Sequence, residues 1–240
     1  MKPPNYELID NSPDQRRLIY HVDSYAGQFL LFLSRNIPDF SSHGADHTLH
    51  IIDNLNKFVK NWEIELTQDE ALLLYLAAWL HDIGCIKDRN KHHEISASLL
   101  LGNTSLVEIL TEKYAICLKY IILAHRSQYP IEDVPKDHEN IRLRMICAIF
   151  RLMDACEICY PKCPSAVYEV IKDSLNEKAR QVWIGHKNIL DLKFNKPEIR
   201  IFVNEIDKCQ FMIDDLNMEI STIRDTFEEN DIPVPIVRTI

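Results

Sequence analysis

The sequence predicts a mainly α-helical protein that carries a small α+β appendage near its C-terminal end. Apolar residues recur at helical spacing over most of the first 160 positions. Glycine occurs only 5 times in 240 residues, whereas an average composition would give about 17. Because tight turns and phosphate-binding loops depend on glycine, its scarcity argues against a β-sandwich, a Rossmann domain or a P-loop. Two short segments after position 188 have the residue types of strands.

The apolar spacing predicts a succession of helices along the first part of the chain. Thr67 and Glu70 have the spacing of a capping box, which marks a helix start. The helix that they open is apolar on nearly every face, so we expect it to lie at the centre of the molecule. The predicted helices of this part are 14–36, 45–60, 71–81, 93–102, 104–112, 113–125 and 140–157.

The pattern changes after the prolines at positions 161 and 164. The sequence then predicts a helix over 165–181, strands over 189–194 and 198–203 joined by a hairpin loop, and a last helix over 204–229. A proline-rich tail follows. We expect residues 1–160 to form a helical domain and residues 161–240 to form an α+β extension packed on it, a β-hairpin plus a helix.

Composition and charge restrict the partners. Lys and Arg number 27 and Asp and Glu 36, and the net charge of −9 disfavours nucleic acid, which needs a basic face. No apolar run reaches the length of a membrane span. The 7 cysteines, without a signal peptide, indicate a reduced cytoplasmic protein. The apolar tail over 232–240 leaves a homo-oligomer open.

Imidazoles and carboxylates lie at predicted helix ends or faces in five places. Asp154 lies in an apolar run, where a carboxylate is costly unless it is paired or bound to metal. A single such histidine is more often a hydrogen-bonded core residue, so the joint pattern carries the prediction. The residues are His47 with His50, His81 with Asp82, His92 with His93, His125 and Asp154.

Such a set suits Mn, Fe, Zn, Co or Ni better than Ca. Mg is less expected, although it tolerates partly hydrated sites. His81 and Asp82 leave a helix end in different directions, so His81 can serve one ion while Asp82 bridges to a second. Two ions about 3.5–4 Å apart would clamp a phosphoryl group. The sequence therefore predicts one or two divalent ions and a substrate that carries phosphate.

Four segments resemble the HD superfamily of metal-dependent phosphohydrolases, whose ligands lie on an all-helical bundle. The resemblance covers roughly residues 40–160. It rests on the segments HGADHTLHI over 43–51, LAAWLHDIG over 76–84, HHEISASLL over 92–100 and RLMDACEI over 151–158. The order of ligand types in these segments, completed by His125, is that of the family.

The resemblance implies a role for each matching residue. One ion would be held by His47, His81, Asp82 and Asp154. The second would share Asp82 and add His125 and either His92 or His93, a choice that stays open. The catalytic residues implied are His81, Asp82, His93 and Arg151. Cations near these motifs, either substrate-phosphate contacts or solvated surface groups, are Lys87, Arg89, Lys91 and Arg126. His43 is either a substrate-facing acid or a loop residue.

We expect a divalent-metal phosphohydrolase that acts on a nucleotide or related phosphate ester. Two alternatives stay open: a single-strand nuclease of the HD type, and a non-catalytic module that senses a nucleotide or binds a partner. Cys156, Cys159 and Cys163 have no fourth ligand at zinc-finger spacing, so we interpret them as buried apolar thiols.

Overall fold

The computed structural model describes residues 4–36 and 44–240. The predicted fold class is confirmed: the described residues are mainly helical, with a small sheet near the C-terminal end. The helices are α1 (Pro13–Asn36), α2 (Ala45–Trp62), α3 (Gln68–Leu80), α4 (His92–Gly102), α5 (Thr104–Ala124), α6 (Leu143–Ala155), α7 (Ser165–Ile171), α8 (Glu177–Asn188) and α9 (Gln210–Glu229). The strands are β1 (Ile189–Asn195), β2 (Glu198–Val203) and β3 (Ile236–Thr239). His43 lies outside the described residues.

Helix α3 is the central element, as its sequence predicts. The Thr67 side chain accepts a hydrogen bond from the Glu70 backbone N–H, and the Glu70 side chain accepts one from the Thr67 N–H. Every residue from Glu70 to Leu80 is buried. Helices α1, α2, α5 and α6 all pack against α3. This arrangement puts the C-terminal end of α3 at the point where the other helices converge.

The boundary predicted between helices 104–112 and 113–125 corresponds to a break inside α5. Thr111 has φ 68° and ψ 156°, which are not helical values. The two predicted segments therefore form one merged element with a kink at this residue.

The C-terminal part differs from prediction in three places, and one of them is that the last helix, expected over 204–229, begins at Gln210 after a 3-10 turn over Ile206–Lys208. The helix expected over 165–181 is two helices, because the chain turns after Ile171 and Asn176 caps α8 by accepting from the Ala179 N–H. The tail ends in strand β3, which pairs parallel to β2 and completes a sheet of order β1-β2-β3. The predicted hairpin β1–β2 is confirmed as an antiparallel pair.

One hydrophobic core crosses the expected boundary at residue 160. Phe58 and Trp62 of α2 lie against Phe194 of β1, with ring centroids 5.5 and 6.2 Å apart. Phe227 of α9 stacks on Phe58 at 6.3 Å. The two-domain division stays a prediction. Among the described residues, no helix has both the length and the apolarity needed to cross a bilayer.

Candidate metal centre

Five helix ends bring imidazoles and carboxylates together in the interior. His47 lies in the first turn of α2, and Asp154 lies near the end of α6. His81 and Asp82 follow α3, His92 begins α4, and His125 follows α5. All of them except the half-buried Asp154 are 3% exposed or less. These six residues include every ligand position that the sequence predicts except His93.

The first cluster contains His47, His81 and Asp154. The Nε2 atoms of His47 and His81 are 3.1 Å apart. Asp154 Oδ1 lies 3.2 Å from His47 Nε2 and 3.7 Å from His81 Nε2. The three side chains form one of the groupings of the described residues that could hold a metal ion.

The second cluster contains His92 and His125. Their Nε2 atoms are 2.8 Å apart. Each Nδ1 donates to a backbone carbonyl, that of His92 to Arg89 at 2.7 Å and that of His125 to Ile122 at 2.6 Å. Both rings are therefore held with Nε2 facing the same point.

Asp82 lies between the two clusters and presents one oxygen to each. Its Oδ2 is 3.6 Å from the Nε2 atoms of both His47 and His81. Its Oδ1 is 3.1 Å from His92 Nε2. This is the placement expected of a bridging carboxylate.

The donor sets fit divalent ions. Ligand atoms about 2.0–2.2 Å from one ion lie roughly 3 to 3.5 Å from one another, and the spacings in both clusters are close to this range. The Nε2 atoms of His92 and His125 both carry lone pairs, because each proton is on Nδ1. Two such acceptors 2.8 Å apart repel each other, and a shared cation removes the repulsion.

Burial keeps three of the imidazoles neutral. Desolvation lowers the pKa of His81, lowers that of His92 to about 4 and lowers that of His125 well below its ordinary value. For Asp154, burial alone would raise the pKa, but the hydrogen bond from His47 and the nearby imidazoles hold it well below the usual range. Neutral imidazoles and an ionised carboxylate are the forms that bind metal.

His47 is the exception among the imidazoles. Burial and the charge of Lys162 lower its pKa, but hydrogen bonds to Asp154 and Glu157 outweigh them and raise it to about 9. In the protein without metal, protonated His47 therefore supplies positive charge beside Asp154 and Glu157.

The glycine after the His81–Asp82 pair lets α4 approach the centre. A Cβ on Gly84 would lie 2.3 Å from the His92 carbonyl oxygen and 2.7 Å from the Ser96 backbone nitrogen. Ser96 Oγ accepts from the Gly84 N–H at 2.8 Å and donates to the His81 carbonyl at 2.7 Å. The Ser96 side chain thus ties the end of α3 to the start of α4, where Gly84 lies close to the α4 backbone.

Sequence reasoning missed a buried charge pair behind His47. Glu157 is 5% exposed, and its Oε2 lies 3.2 Å from His47 Nδ1. Its Oε1 accepts from His50 Nδ1 at 2.8 Å, and Lys162 Nζ lies 2.5 Å from Oε2. Glu157 lies beyond the end of α6 at Ala155, so its spacing from Asp154 is not a helical repeat and gave no signal. No signal marks Lys162 either.

The structure distinguishes His93 from His92. His93 Nε2 lies 3.9 Å from Glu94 Oε1, and the ring is 6.4 Å from that of His125. Its Nδ1 is buried without a hydrogen-bond partner among the described residues. The contact of His92 with Asp82 therefore makes His92 the better candidate ligand.

Arg151 is placed differently from its predicted catalytic role. It is 1% exposed, and its guanidinium donates to the carbonyls of Ala124, Arg126 and Tyr129 at 2.6, 3.2 and 2.6 Å. A fourth bond reaches Thr222 Oγ1 at 3.0 Å. These bonds consume most of its donors, so the geometry favours a positioning role in which Arg151 joins α5, α6 and α9.

The four predicted phosphate-contacting cations divide into two pairs. Lys87 and Lys91 are exposed loop residues. Arg89 is half-buried, with Nη1 3.2 Å from His92 Nδ1 and 3.8 Å from Cys85 Sγ. Arg126 is half-buried beside His125. Only Arg89 and Arg126 thus lie next to candidate ligands.

Cys85 is a further candidate ligand that the sequence analysis did not single out. Its thiol lies 3.5 Å from Asp82 Oδ1, and Asp82, Cys85 and His92 form the second grouping that could hold an ion. Burial and the charge of Asp82 raise the pKa of the thiol. Cys156, Cys159 and Cys163 belong to neither grouping of the described residues.

A cavity of 610 Å³ opens from the centre toward α9. His125 and Asp154 line it, together with Arg126 and Arg151. Most of its other lining residues belong to α9. The volume is within the range of small-molecule sites.

Comparison with known proteins identifies the family of the chain. The family model HD-CE matches residues 37–229. The chain belongs to the HD-CE family. The HD-CE match contains every candidate ligand described above and continues through α9. No curated protein sequence gives a significant match.

Proposed function

We propose that this HD-CE protein is a divalent-metal-dependent phosphohydrolase that acts on a nucleotide or a related phosphate ester. One observation carries the proposal: Asp82 presents its two oxygens to two separate imidazole clusters. The resemblance of the ligand order to HD phosphohydrolases supports it.

In this proposal, His47, His81, Asp82 and Asp154 hold one ion, and Asp82, His92 and His125 hold a second. Divalent ions bound there would polarise phosphoryl oxygens and lower the pKa of a coordinated water. The donor types suit Mn, Fe, Zn, Co or Ni, with Mg accepted in a partly hydrated site.

The protein's own groups orient and surround the reacting phosphate. The Nδ1–H of each imidazole bonds a fixed acceptor, which keeps each Nε2 aimed at the centre. Arg126, which lines the cavity next to His125, is our candidate for holding a substrate phosphate. His93 is our candidate for proton transfer, because its buried Nδ1 has no partner among the described residues.

The cavity lining speaks against the nuclease alternative. Within the described parts of the chain, Arg126 and Arg151 are the only cationic residues that line it, and Arg151 is bonded to carbonyls. Asp215 and Glu219 add negative charge to the same walls. A groove for single-stranded nucleic acid needs a continuous positive surface, so we favour a small substrate.

The test is hydrolysis by protein reconstituted with each candidate metal. The panel contains nucleoside mono- and triphosphates, p-nitrophenyl phosphate, bis(p-nitrophenyl) phosphate and a single-stranded DNA oligonucleotide. We expect turnover of at least one small ester that EDTA abolishes and that Asp82→Ala lacks. Cleavage of the oligonucleotide alone would favour the nuclease, and metal-replete protein without any turnover would favour the non-catalytic module.

A further inference from the structure

One wall of the cavity that begins at the candidate metal centre is formed by residues that are not candidate metal ligands. Helix α9 lines it with apolar side chains, among them Phe211, Leu216 and Met218, and with polar ones, among them Asp215 and Glu219. A wall that combines apolar surface with placed polar groups is typical of a site for the organic part of a ligand. The part of a phosphate ester beyond its phosphoryl group would contact this wall.

Glu219 is the unusual member of the wall. Its Oε2 is buried and has no hydrogen-bond partner among the described residues. Leaving a buried carboxylate oxygen unpaired is costly, so such an atom in a native cavity calls for a partner that is absent from the protein itself.

The position of Glu219 is fixed relative to the metal centre. Thr222 Oγ1 donates to the Glu219 backbone carbonyl at 2.7 Å and accepts from Arg151 Nη1 at 3.0 Å. Arg151 is three residues before Asp154 on α6, and it also bonds the Ala124 carbonyl just before His125. A chain of hydrogen bonds thus joins the wall of the cavity to two candidate ligands, which keeps their spacing constant.

The surroundings define what the free oxygen can bind. Ser127 bonds the Glu219 carboxylate, and the charges of Arg151 and Arg126 act on it, yet burial still raises its pKa. A second anionic group next to Oε2 would be repelled by Glu219, Asp215 and Asp154. An uncharged N–H or O–H donor, such as a nucleobase amino or imino group or a sugar hydroxyl, has the matching chemistry.

We propose that Glu219 is a specificity-determining residue, whose Oε2 accepts a hydrogen bond from an N–H or O–H group on the organic part of the substrate. This inference rests on the proposed function, because it assumes that the phosphate lies at the metal centre. It assigns to helix α9 the selection of a nucleotide by its base or sugar.

The test compares Glu219→Gln with Asp225→Asn, which makes the same charge change at an exposed position of the same helix. We measure kcat/KM for a set of nucleotides that differ in base and sugar, and for p-nitrophenyl phosphate, whose leaving group has no N–H or O–H donor. Glu219→Gln should lower kcat/KM for the preferred nucleotide about tenfold or more and reduce the ratio between preferred and poorest nucleotides. The p-nitrophenyl phosphate rate should stay within about twofold, and Asp225→Asn should change neither.

An unchanged ratio between nucleotides in Glu219→Gln would overturn the inference. So would an equal loss on p-nitrophenyl phosphate, since that would place Glu219 in the chemistry or the fold. Equilibrium binding of the same nucleotides to metal-loaded protein, followed by calorimetry, separates the two proposals. If nothing is hydrolysed, the proposed function fails, and binding that loses its base or sugar preference in Glu219→Gln still supports the role of Glu219. Binding without such a change refutes it.

Discussion

Glu157 is a buried carboxylate that contacts the candidate ligand His47. Its Oε2 faces His47 Nδ1, and Lys162 balances its charge. Burial alone would raise the pKa of Glu157, but Lys162 and the two histidines hold it well below its usual range. An ionised carboxylate behind a ligating imidazole fixes the ring and raises its basicity.

We therefore expect Glu157→Gln to weaken metal binding by about 10- to 100-fold, measured by competition with a chelator. Because Lys162 then lacks a partner, stability should fall as well. The double variant Glu157→Gln/Lys162→Met should recover stability without recovering affinity. The control is Asp53→Asn, since the exposed Asp53 lines the same surface pocket as Glu157 and pairs with Lys57. Recovery of affinity in the double variant would show that Glu157 acts only on the fold.

The raised pKa of His47 predicts a proton release. With a pKa of about 9, His47 is protonated at pH 7.5 in metal-free protein, whereas a ligating imidazole must lose that proton. Metal binding should release about one proton at this pH, and apparent affinity should rise as the pH rises toward 9. Calorimetric titration in PIPES and in Tris, each corrected for a blank without protein, measures this number. Equal binding enthalpies in the two buffers would contradict the prediction.

Gly84 allows a close backbone approach that no other residue permits. Gly84→Ala should destabilise the protein by about 1–3 kcal/mol and reduce metal content, since the new Cβ pushes the start of α4 and His92 away. Gly27 is the matched control, because nothing lies within 4 Å of its Cβ position in α1. Gly27→Ala should stabilise by about 0.5–1 kcal/mol. Thermal and urea unfolding check both values, and a neutral Gly84→Ala would contradict the geometry.

The histidine pair 92–93 shows the limit of residue-level prediction. Neighbouring residues at a helix start point in different directions, and the sequence does not say which direction leads inward. The choice depends on Asp82 and His125, which come from other helices. Glu157 was missed for the same reason, because only the positions of His47 and His50 distinguish it from a surface glutamate.

At the scale of elements, the capping box of α3 connects local sequence to the core. Glu70 is fully buried, and besides the Thr67 N–H it accepts from the Arg142 N–H, Nε and Nη2 at 2.9, 2.9 and 2.6 Å. The box therefore also anchors the start of α6, which carries Asp154. Local spacing predicted the helix start, but it could not predict the contact with Arg142.

Thr67→Ala removes the cap alone and should cost about 1 kcal/mol, a fall of about 2–4 °C in Tm for a protein of this size. Glu70→Ala also leaves Arg142 without its carboxylate and should cost roughly 2–3 kcal/mol. Differential scanning calorimetry of both variants tests whether Glu70→Ala loses more stability than Thr67→Ala. An equal loss for the two would show that the Arg142 contact contributes nothing.

Elements with strong local patterns were predictable, and those set by distant contacts were not. The helices up to α6 and the β1–β2 hairpin follow apolar spacing and turn residues. Strand β3 follows two prolines and forms only by pairing with β2 at the end of the chain. The apolar spacing over 165–181 did not show the turn before Asn176, which separates α7 from α8.

At the scale of the whole molecule, one core unites the candidate metal centre and the C-terminal segment. Helices α6 and α9 pack together and both line the cavity, and Arg151 of α6 bonds Thr222 of α9. The resemblance supplied the candidate ligand set and implied no function for the C-terminal segment. Its role in forming the cavity depends on packing between segments more than 50 positions apart.

The central claim is that the two clusters around Asp82 hold divalent ions. Elemental analysis of the protein, purified without chelators, tests it most directly, with Asp82→Ala alongside. We predict about two transition-metal ions per wild-type chain and almost none in the variant. Wild-type protein that holds no ion and takes up none on titration would contradict the claim, as would full metal content in Asp82→Ala.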